Sequence, residues 1–229
     1  MKIVADNHMP LAAKLSLEQM GEVLFLEKQV FLYDSIASHP DIFFCQIKNQ
    51  LVAANNIPKH WENWFLKQGV QYVKGKMELG EKYPDTACYN AVATSELFLH
   101  NLKNTDQSIL ELTGDLIKIH VNQAYTRCNL IPLNEEGFIT SDRGIEKQLL
   151  KIGKRVLFIQ PGQIHLSGQT HGFIGGCCGI FEEVLYVCGS VKFLQESKEF
   201  KQFTDNFSIK IVELYDGPLT DIGSILFIK

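Results

Sequence analysis

One pattern limits the folds open to this chain more than any other. A strand, a helix and a second strand follow one another five times along 229 residues. The closing strands of these units read EVLFL (Glu22–Leu26), VQYVK (Val70–Lys74), LIKIHV (Leu116–Val121), RVLFI (Arg155–Ile159) and IKIVE (Ile209–Glu213). Each is short and rich in β-branched and aromatic residues, and they recur roughly every 46 residues, the mark of an internal repeat. The helices expected before them are Pro10–Met20, Pro58–Lys67, Asp106–Leu112, Arg143–Ile152 and Val191–Phe203. Pro10 suits a first turn, Asp6 or Asn7 could cap the first helix, and Asp142 reads as a cap. Ahead of the helices stand Lys2–Ala5, Leu51–Ala54, Glu96–His100, Gly137–Thr140 and Val184–Cys188. In four units a further strand comes first: Asp41–Ile47, Thr86–Asn90, Tyr125–Ile131 and Phe173–Ile180.

The first unit lacks that opening strand, and the chain ends on a strand, Asp221–Lys229 (DIGSILFIK), with no helix after it. If the last strand completes the first unit, both terminal edges are paired rather than exposed. The prediction is an α/β fold, a five-bladed pseudo-fivefold ββαβ propeller closed by the C-terminal strand, forming a single domain over residues 1–229. An open α/β sheet with two lobes is the alternative that the order of elements alone permits.

Composition narrows the function classes. Apolar residues make up 45% and charged residues 21%, with a formal charge of −4 and a pI near 6.0. A nucleic-acid binder needs a basic footprint, and no run of lysine or arginine supplies one. The opening MKIVADNHMP does not read as a secretory signal, and no apolar run reaches the roughly 20 residues of a membrane span. The six cysteines are therefore expected as reduced thiols in a cytoplasmic protein. Neither nucleic acid nor membrane is an expected partner, the sequence identifies no protein partner, and no cofactor or metal is predicted.

In a closed ring the opening strand of each unit lies nearest the axis, so Cys45, Cys88, Cys128 and Cys177 should point that way. Small buried thiols suit a narrow axis as packing. Their spacing does not resemble a zinc site. Cys177–Cys178 lies in HGFIGGCCG, where adjacent side chains on a strand would face opposite ways. His171 and His39 each precede a cysteine by six residues, which in extended chain is about 20 Å, too far for a hydrogen bond. His171 could reach Cys177 only if Gly172, Gly175 and Gly176 fold the strand back. The rim expected from the strand beginnings gathers His39, Asp41, Asp85, Tyr125, Arg127, His171 and Asp221. Carboxylates and imidazoles at a channel mouth favour a small cationic or polar ligand and can support acid–base chemistry. Pro40–Asp41 and Pro84–Asp85 read equally well as solvated turns.

Five such units closed by the tail resemble the pentein, or guanidine-modifying enzyme, fold. The segments HPDI (His39–Ile42), YTRCNLIPLNEEGFITSDRGI (Tyr125–Ile145), HGFIGGCCG (His171–Gly179) and DIGSILFIK (Asp221–Lys229) resemble an uncharacterised bacterial branch of that superfamily. The resemblance implies a cysteine on the closing strand and a histidine opening the fourth unit. Here the closing strand reads Gly223–Ser224–Ile225–Leu226–Phe227 and the fourth unit opens Asn122–Gln123–Ala124–Tyr125, so those roles do not carry over.

Two functions follow. The first is a cysteine-dependent hydrolase or amidinotransferase acting on C–N bonds of a small guanidino- or amidine-like substrate. Cys177 or Cys178 would be its nucleophile, His171 or His39 its acid–base, and Asp41 and Asp85, with Tyr125, Arg127 and Asp221, its ligand-binding groups. Gly175 and Gly176 would let the substrate approach the backbone. The second is a non-catalytic binding module, like the ribosome anti-association factor that shares the fold.

Overall fold

The computed structural model describes residues 1–228. Among the described residues, fifteen strands form five three-stranded sheets. The first unit contains β1 (Lys2–Asp6), α1 (Leu11–Glu18) and β2 (Glu22–Leu26). The second runs α2 (Pro40–Phe43), β3 (Phe44–Ile47), β4 (Gln50–Ala53), α3 (Lys59–Lys67) and β5 (Tyr72–Lys74). The third has β6 (Val92–Ala93), β7 (Leu97–His100), α4 (Gln107–Leu112) and β8 (Ile117–His120). The fourth has α5 (Thr126–Asn129), β9 (Leu130–Pro132), β10 (Gly137–Thr140), α6 (Arg143–Lys151) and β11 (Arg155–Phe158). The fifth opens with a 3₁₀ turn (Gly175–Cys177), then β12 (Cys178–Phe181), β13 (Val184–Val187), a second 3₁₀ turn (Val191–Phe193), α7 (Ser197–Asn206) and β14 (Lys210–Glu213). The last strand is β15 (Leu226–Ile228).

Every sheet follows one rule. The first strand pairs antiparallel with the second, and the second pairs parallel with the third across the helix. The first unit obeys it because β15 lies antiparallel beside β1, with Lys2 opposite Ile228 and Val4 opposite Leu226. The predicted tail-to-head pairing is therefore present; Lys229 lies outside the described residues.

Burial follows strand order. The second strands are mostly buried along their length, as in β7 and β10, whereas third strands such as β8 and β14 are largely exposed. Helices cover the sheets through pairs of buried residues four apart: Ala13 and Leu17, Trp61 and Phe65, Ile145 and Leu149, Phe200 and Thr204. That spacing is one face of an α-helix. Trp61 of α3 meets Phe43 edge-on at 5.0 Å, within an apolar cluster that also holds Phe44 and Phe98. Asp142 caps α6 by accepting from the Ile145 amide at 2.8 Å, and Asp106 caps α4 through the Ser108 amide at 2.7 Å. No side chain caps α1, contrary to the role expected of Asp6 or Asn7. The last predicted helix is split, with a turn at Val191–Phe193 and α7 beginning at Ser197.

The main correction concerns the opening strands. Each of the four was expected to be extended from its first residue, at Asp41, Thr86, Tyr125 and Phe173. In the second, fourth and fifth units a helical turn comes first and the strand starts three or four residues later, at Phe44, Leu130 and Cys178. In the third, Thr86–Asn90 forms turns and the strand begins at Val92. Pro40, at the first position of α2, has the backbone torsion such a turn needs. The turns change which side chains meet at the centre, and the distance rule for an extended six-residue stretch does not apply.

Among the described residues, no helix is long and apolar enough to cross a membrane.

Candidate functional site

Three turns from different units converge on one buried carboxylate. Asp41, on α2, is fully buried, and its backbone amide is held by the Gly223 carbonyl at 3.0 Å. Its Oδ2 accepts from the Cys128 thiol of α5 at 3.1 Å and from the Ser224 hydroxyl at 2.7 Å. Asn90 locks this arrangement. Its Nδ2 donates to Cys128 Sγ and to the Asp41 carbonyl, both at 3.1 Å, and its Oδ1 accepts from the Arg127 and Cys128 amides. Ser224 adopts a left-handed backbone, φ 72°, beside Gly223 at φ 63°. Such a conformation costs a non-glycine residue about 1–3 kcal/mol and persists where neighbours enforce it. Here the Ser224 amide donates to the Gly176 carbonyl at 2.7 Å while its hydroxyl is tied to Asp41.

Next to this floor lies His39, only 3% exposed. Its Nε2 is 3.7 Å from Asp6 Oδ2 and its Nδ1 is 3.9 Å from Asp221 Oδ1. Asp221 accepts from the amides of Phe173 at 2.9 Å and Gly223 at 3.0 Å. Burial pushes its carboxyl upward, and Asp41 adds to that, while His39 and the two amides pull the other way. Among the described residues, His39 Nδ1 and Asp41 Oδ1 are the buried side-chain N and O atoms without a hydrogen-bond partner. Leaving a buried polar atom unpaired costs about 1–3 kcal/mol, so the two atoms, two residues apart in the chain, are exceptions to the usual rule that buried polar groups are paired.

Two cavities reach this centre. One, of about 310 Å³, is bordered by His39, Cys128 and Asp221 below, with Tyr33, Tyr125 and His171 around it. The other, of about 400 Å³, is bordered by Asp6, His8, His39 and Asp221. Around the first, the Tyr125 hydroxyl bonds Tyr33 and Thr86, both at 2.6 Å. Burial raises the Tyr125 phenol, so it stays protonated at neutral pH.

The predicted rim is partly assembled. His39, Tyr125, His171 and Asp221 border the first cavity; the buried Asp41 does not line it and is linked to it through its hydrogen bond with Cys128. Asp85 does not join them; it is exposed and packs over Gly80. Arg127 turns away, donating to the carbonyls of Gly175 at 3.0 Å and Cys178 at 2.9 Å, and it borders a cavity lined by Ile131, Glu135 and Ile225. Cys177 and Cys178 lie in an apolar cluster with Ile174, Leu185 and Val187. Cys177 Sγ donates to the Ile174 carbonyl at 2.9 Å and stands 3.8 Å from Cys178 Sγ. The 3₁₀ turn sets the two sulfurs side by side, where an uninterrupted strand would have placed them on opposite faces. Burial, then the neighbouring thiol, pushes Cys177 well above its usual value. The glycines do not open the backbone to a ligand. A Cβ on Gly176 would strike Asp221, and one on Gly175 would strike the Arg127 carbonyl.

Residues that the sequence did not offer as site residues complete the centre: Asp6, read as a helix cap, with His8, Asn90 and Ser224, and Cys128, read as axial packing. Cys128 is also driven well above its ordinary value, by burial first and by Asp41 next, so it rests as a thiol. Among the described residues, no group of three or more His, Cys, Asp or Glu is placed to hold a metal ion.

This architecture is that of the guanidine-modifying enzymes, the pentein fold. A DDAH from Pseudomonas aeruginosa, solved as a cysteine-to-serine mutant complexed with citrulline, superposes with a TM-score of 0.52 at 8% identity, covering 93% of this chain and 91% of that one. SxtG, an amidinotransferase from Microseira wollei in the saxitoxin biosynthetic pathway, gives 0.56 at 9% identity over 100% and 94% of the two chains. A C. jejuni agmatine deiminase with substrate bound gives 0.53 at 12% identity over 89% and 76%. No curated protein matches the chain in sequence. Within that fold, the chain belongs to the "Family of unknown function (DUF6873)", whose model matches residues 4–226.

Proposed function

We propose that the protein binds a small organic cation of the guanidinium or amidinium type over Asp41, with Asp221 and His39 as its flanks and Cys128 on the floor. The observation that carries this reading is the pair of unpartnered buried atoms, Asp41 Oδ1 and His39 Nδ1. No lysine or arginine pairs with Asp6, Asp41 or Asp221 among the described residues. A planar ligand with several N–H donors and one positive charge meets both needs, for acceptors and for charge. In the same reading the five sheets form one closed propeller domain over residues 1–229. Pairing of β15 with β1 supports this, as do the contacts of β12 with β15 and of β3 with β6.

Any covalent step would fall to Cys128, which borders the cavity, rather than to Cys177 or Cys178. A bound cation offsets the Asp41 charge that keeps the thiol protonated, so the ligand itself would favour the thiolate. His39 and His171 stand where protons can be exchanged with the ligand. A purely binding role is the second reading. It is favoured by the thiol's resting state and by the serine, Ser224, in place of a cysteine on the closing strand.

Thermal unfolding with methylguanidine and with its neutral isostere methylurea separates charge from shape. Methylguanidine at about 100 times its Kd should add about 2.7 kcal/mol of stability. Methylurea should add almost nothing, and Asp41→Asn should abolish the methylguanidine response. Equal responses to the two compounds, or none to either, would reject the reading.

A further inference from the structure

The groups around His39 form a line that runs from solvent to the buried floor. His8, whose side chain is 49% exposed, places Nδ1 3.2 Å from Asp6 Oδ1 and 3.1 Å from Ser38 Oγ. The other Asp6 oxygen faces His39 at 3.7 Å, and the far side of that ring faces Asp221 at 3.9 Å. Two imidazoles and two carboxylates thus alternate along the line. The last two gaps exceed a direct hydrogen bond, but a small ring movement or one bridging water spans them. His39 and Asp221 also form the wall between the two cavities, one bordering Cys128 and the other opening past His8.

Charge balance gives the line a purpose. His39 lies opposite Asp6 of β1 and Asp221 of the segment entering β15, shares a cavity lining with His8 on one side and with Cys128 of α5 on the other, and stands two residues before Asp41. Three of these are carboxylates, and the one buried group able to bring a positive charge among them is the imidazole. Farther out, Lys28, Asp34, His165 and His171 border the cavities at positions open to solvent, where salt screens them. Asp221, buried and facing a second carboxylate, favours holding or sharing a proton.

We propose that the His8–Asp6–His39–Asp221 line stores a proton and gives it up to solvent through His8 when a cationic ligand takes the proton's place. This rests on the cation-binding reading above and adds a consequence that reading does not require: binding exchanges one positive charge for another. A proton on the His39–Asp221 pair and a guanidinium over Asp41 would compete for the same carboxylates. The solvent-facing end at His8 gives the displaced proton a way out that the ligand does not block.

Calorimetric titration with methylguanidine, slightly below neutral pH and in two buffers of different ionisation enthalpy, measures this exchange. The expected result is release of about one proton per ligand bound, with Kd falling about tenfold for each pH unit gained on the acid side. His39→Gln should bind with a buffer-independent heat. Because that variant could also fold poorly, Asp6→Asn provides a second test: it keeps His39 and should cut the proton number at least twofold. Binding with no dependence on buffer, or full proton release in His39→Gln, would overturn the exchange and leave the cation site standing. No binding of methylguanidine at all would overturn both.

Discussion

Cys128 and the Cys177–Cys178 pair are equally hidden, yet they live in different chemistry. All three thiols are less than 5% exposed. Cys177 and Cys178 are packed among aliphatic side chains, and the bond of Cys177 to the Ile174 carbonyl is a local one within its own turn. Cys128 is bonded to a carboxylate 87 residues away and to an amide 38 residues away, and one side of it borders a cavity. Burial alone therefore does not separate the packed thiols from the one proposed above to meet the ligand. What distinguishes them is whether long-range polar partners fix the sulfur and whether open space lies beyond it.

Two glycines with similar backbone angles, Gly223 beside the Cys128 site and Gly153 in the open just after α6, test the packing of that site most strongly. A Cβ at Gly223 would run into His39, at a φ of 63° that side chains rarely adopt. Gly223→Ala should cost about 2–4 kcal/mol and remove the response to methylguanidine, both read by thermal unfolding. Gly153 has a similar φ of 80° but open space around it. Its alanine variant should cost only about 1 kcal/mol and keep the ligand response. Equal costs would mean that packing against His39 is not what holds this loop.

Exchanging the thiols comes next in size. Cys177→Ala removes sulfur from a tightly packed apolar cluster and should cost about 1–2 kcal/mol with the ligand response intact. Cys128→Ser can keep the hydrogen bond to Asp41 and should change stability by less than about 1 kcal/mol. A ligand response lost in Cys177→Ala and unchanged in Asp41→Asn would reverse the assignment of the two sites.

A smaller effect should appear with pH. Because the folded-state pKa of Asp221 is raised, its favourable contribution is complete below the unfolded value of 3.8 and is lost as pH rises through the folded value. Asp221→Asn carries no such ionisation. The stability of the wild type relative to this variant should therefore fall as pH rises above the unfolded value and through the folded one, as followed by denaturant unfolding. A difference that rises over this range would contradict the burial effect. The smallest change is expected at His8→Gln, within about 0.5 kcal/mol in unfolding, since half of the ring already meets water.

Much of the architecture could be read from the residues because it rests on local patterns. Glu22–Leu26 and Gly137–Thr140 form strands over the expected residues, and the Asp142 cap is present. The pairing of the tail with β1 followed from a missing strand at one end and a surplus one at the other. The site was harder to read for a physical reason. Apolar alternation through Asp41–Ile47 and Tyr125–Ile131 does not distinguish an extended start from a helical turn, and only Pro40 hinted at one. That turn brings Cys128 and Asp41 together. Their meeting also depends on Asn90 and Ser224 from two further units, which no spacing along the chain encodes. Cys177–Cys178 drew attention through its glycines, but those glycines make room for Asp221 and the Arg127 carbonyl.

The central claim is that Cys128, bonded to Asp41 and bordering the cavity, is the thiol that senses a bound cation. Alkylation with iodoacetamide at about pH 9, mapped by mass spectrometry with and without methylguanidine, tests it most directly. Cys128 should be modified slowly, yet before Cys177 and Cys178, and saturating ligand should change its rate at least about tenfold while leaving the other two untouched. Earlier labelling of Cys177 or Cys178, or a Cys128 rate indifferent to methylguanidine, would contradict the account.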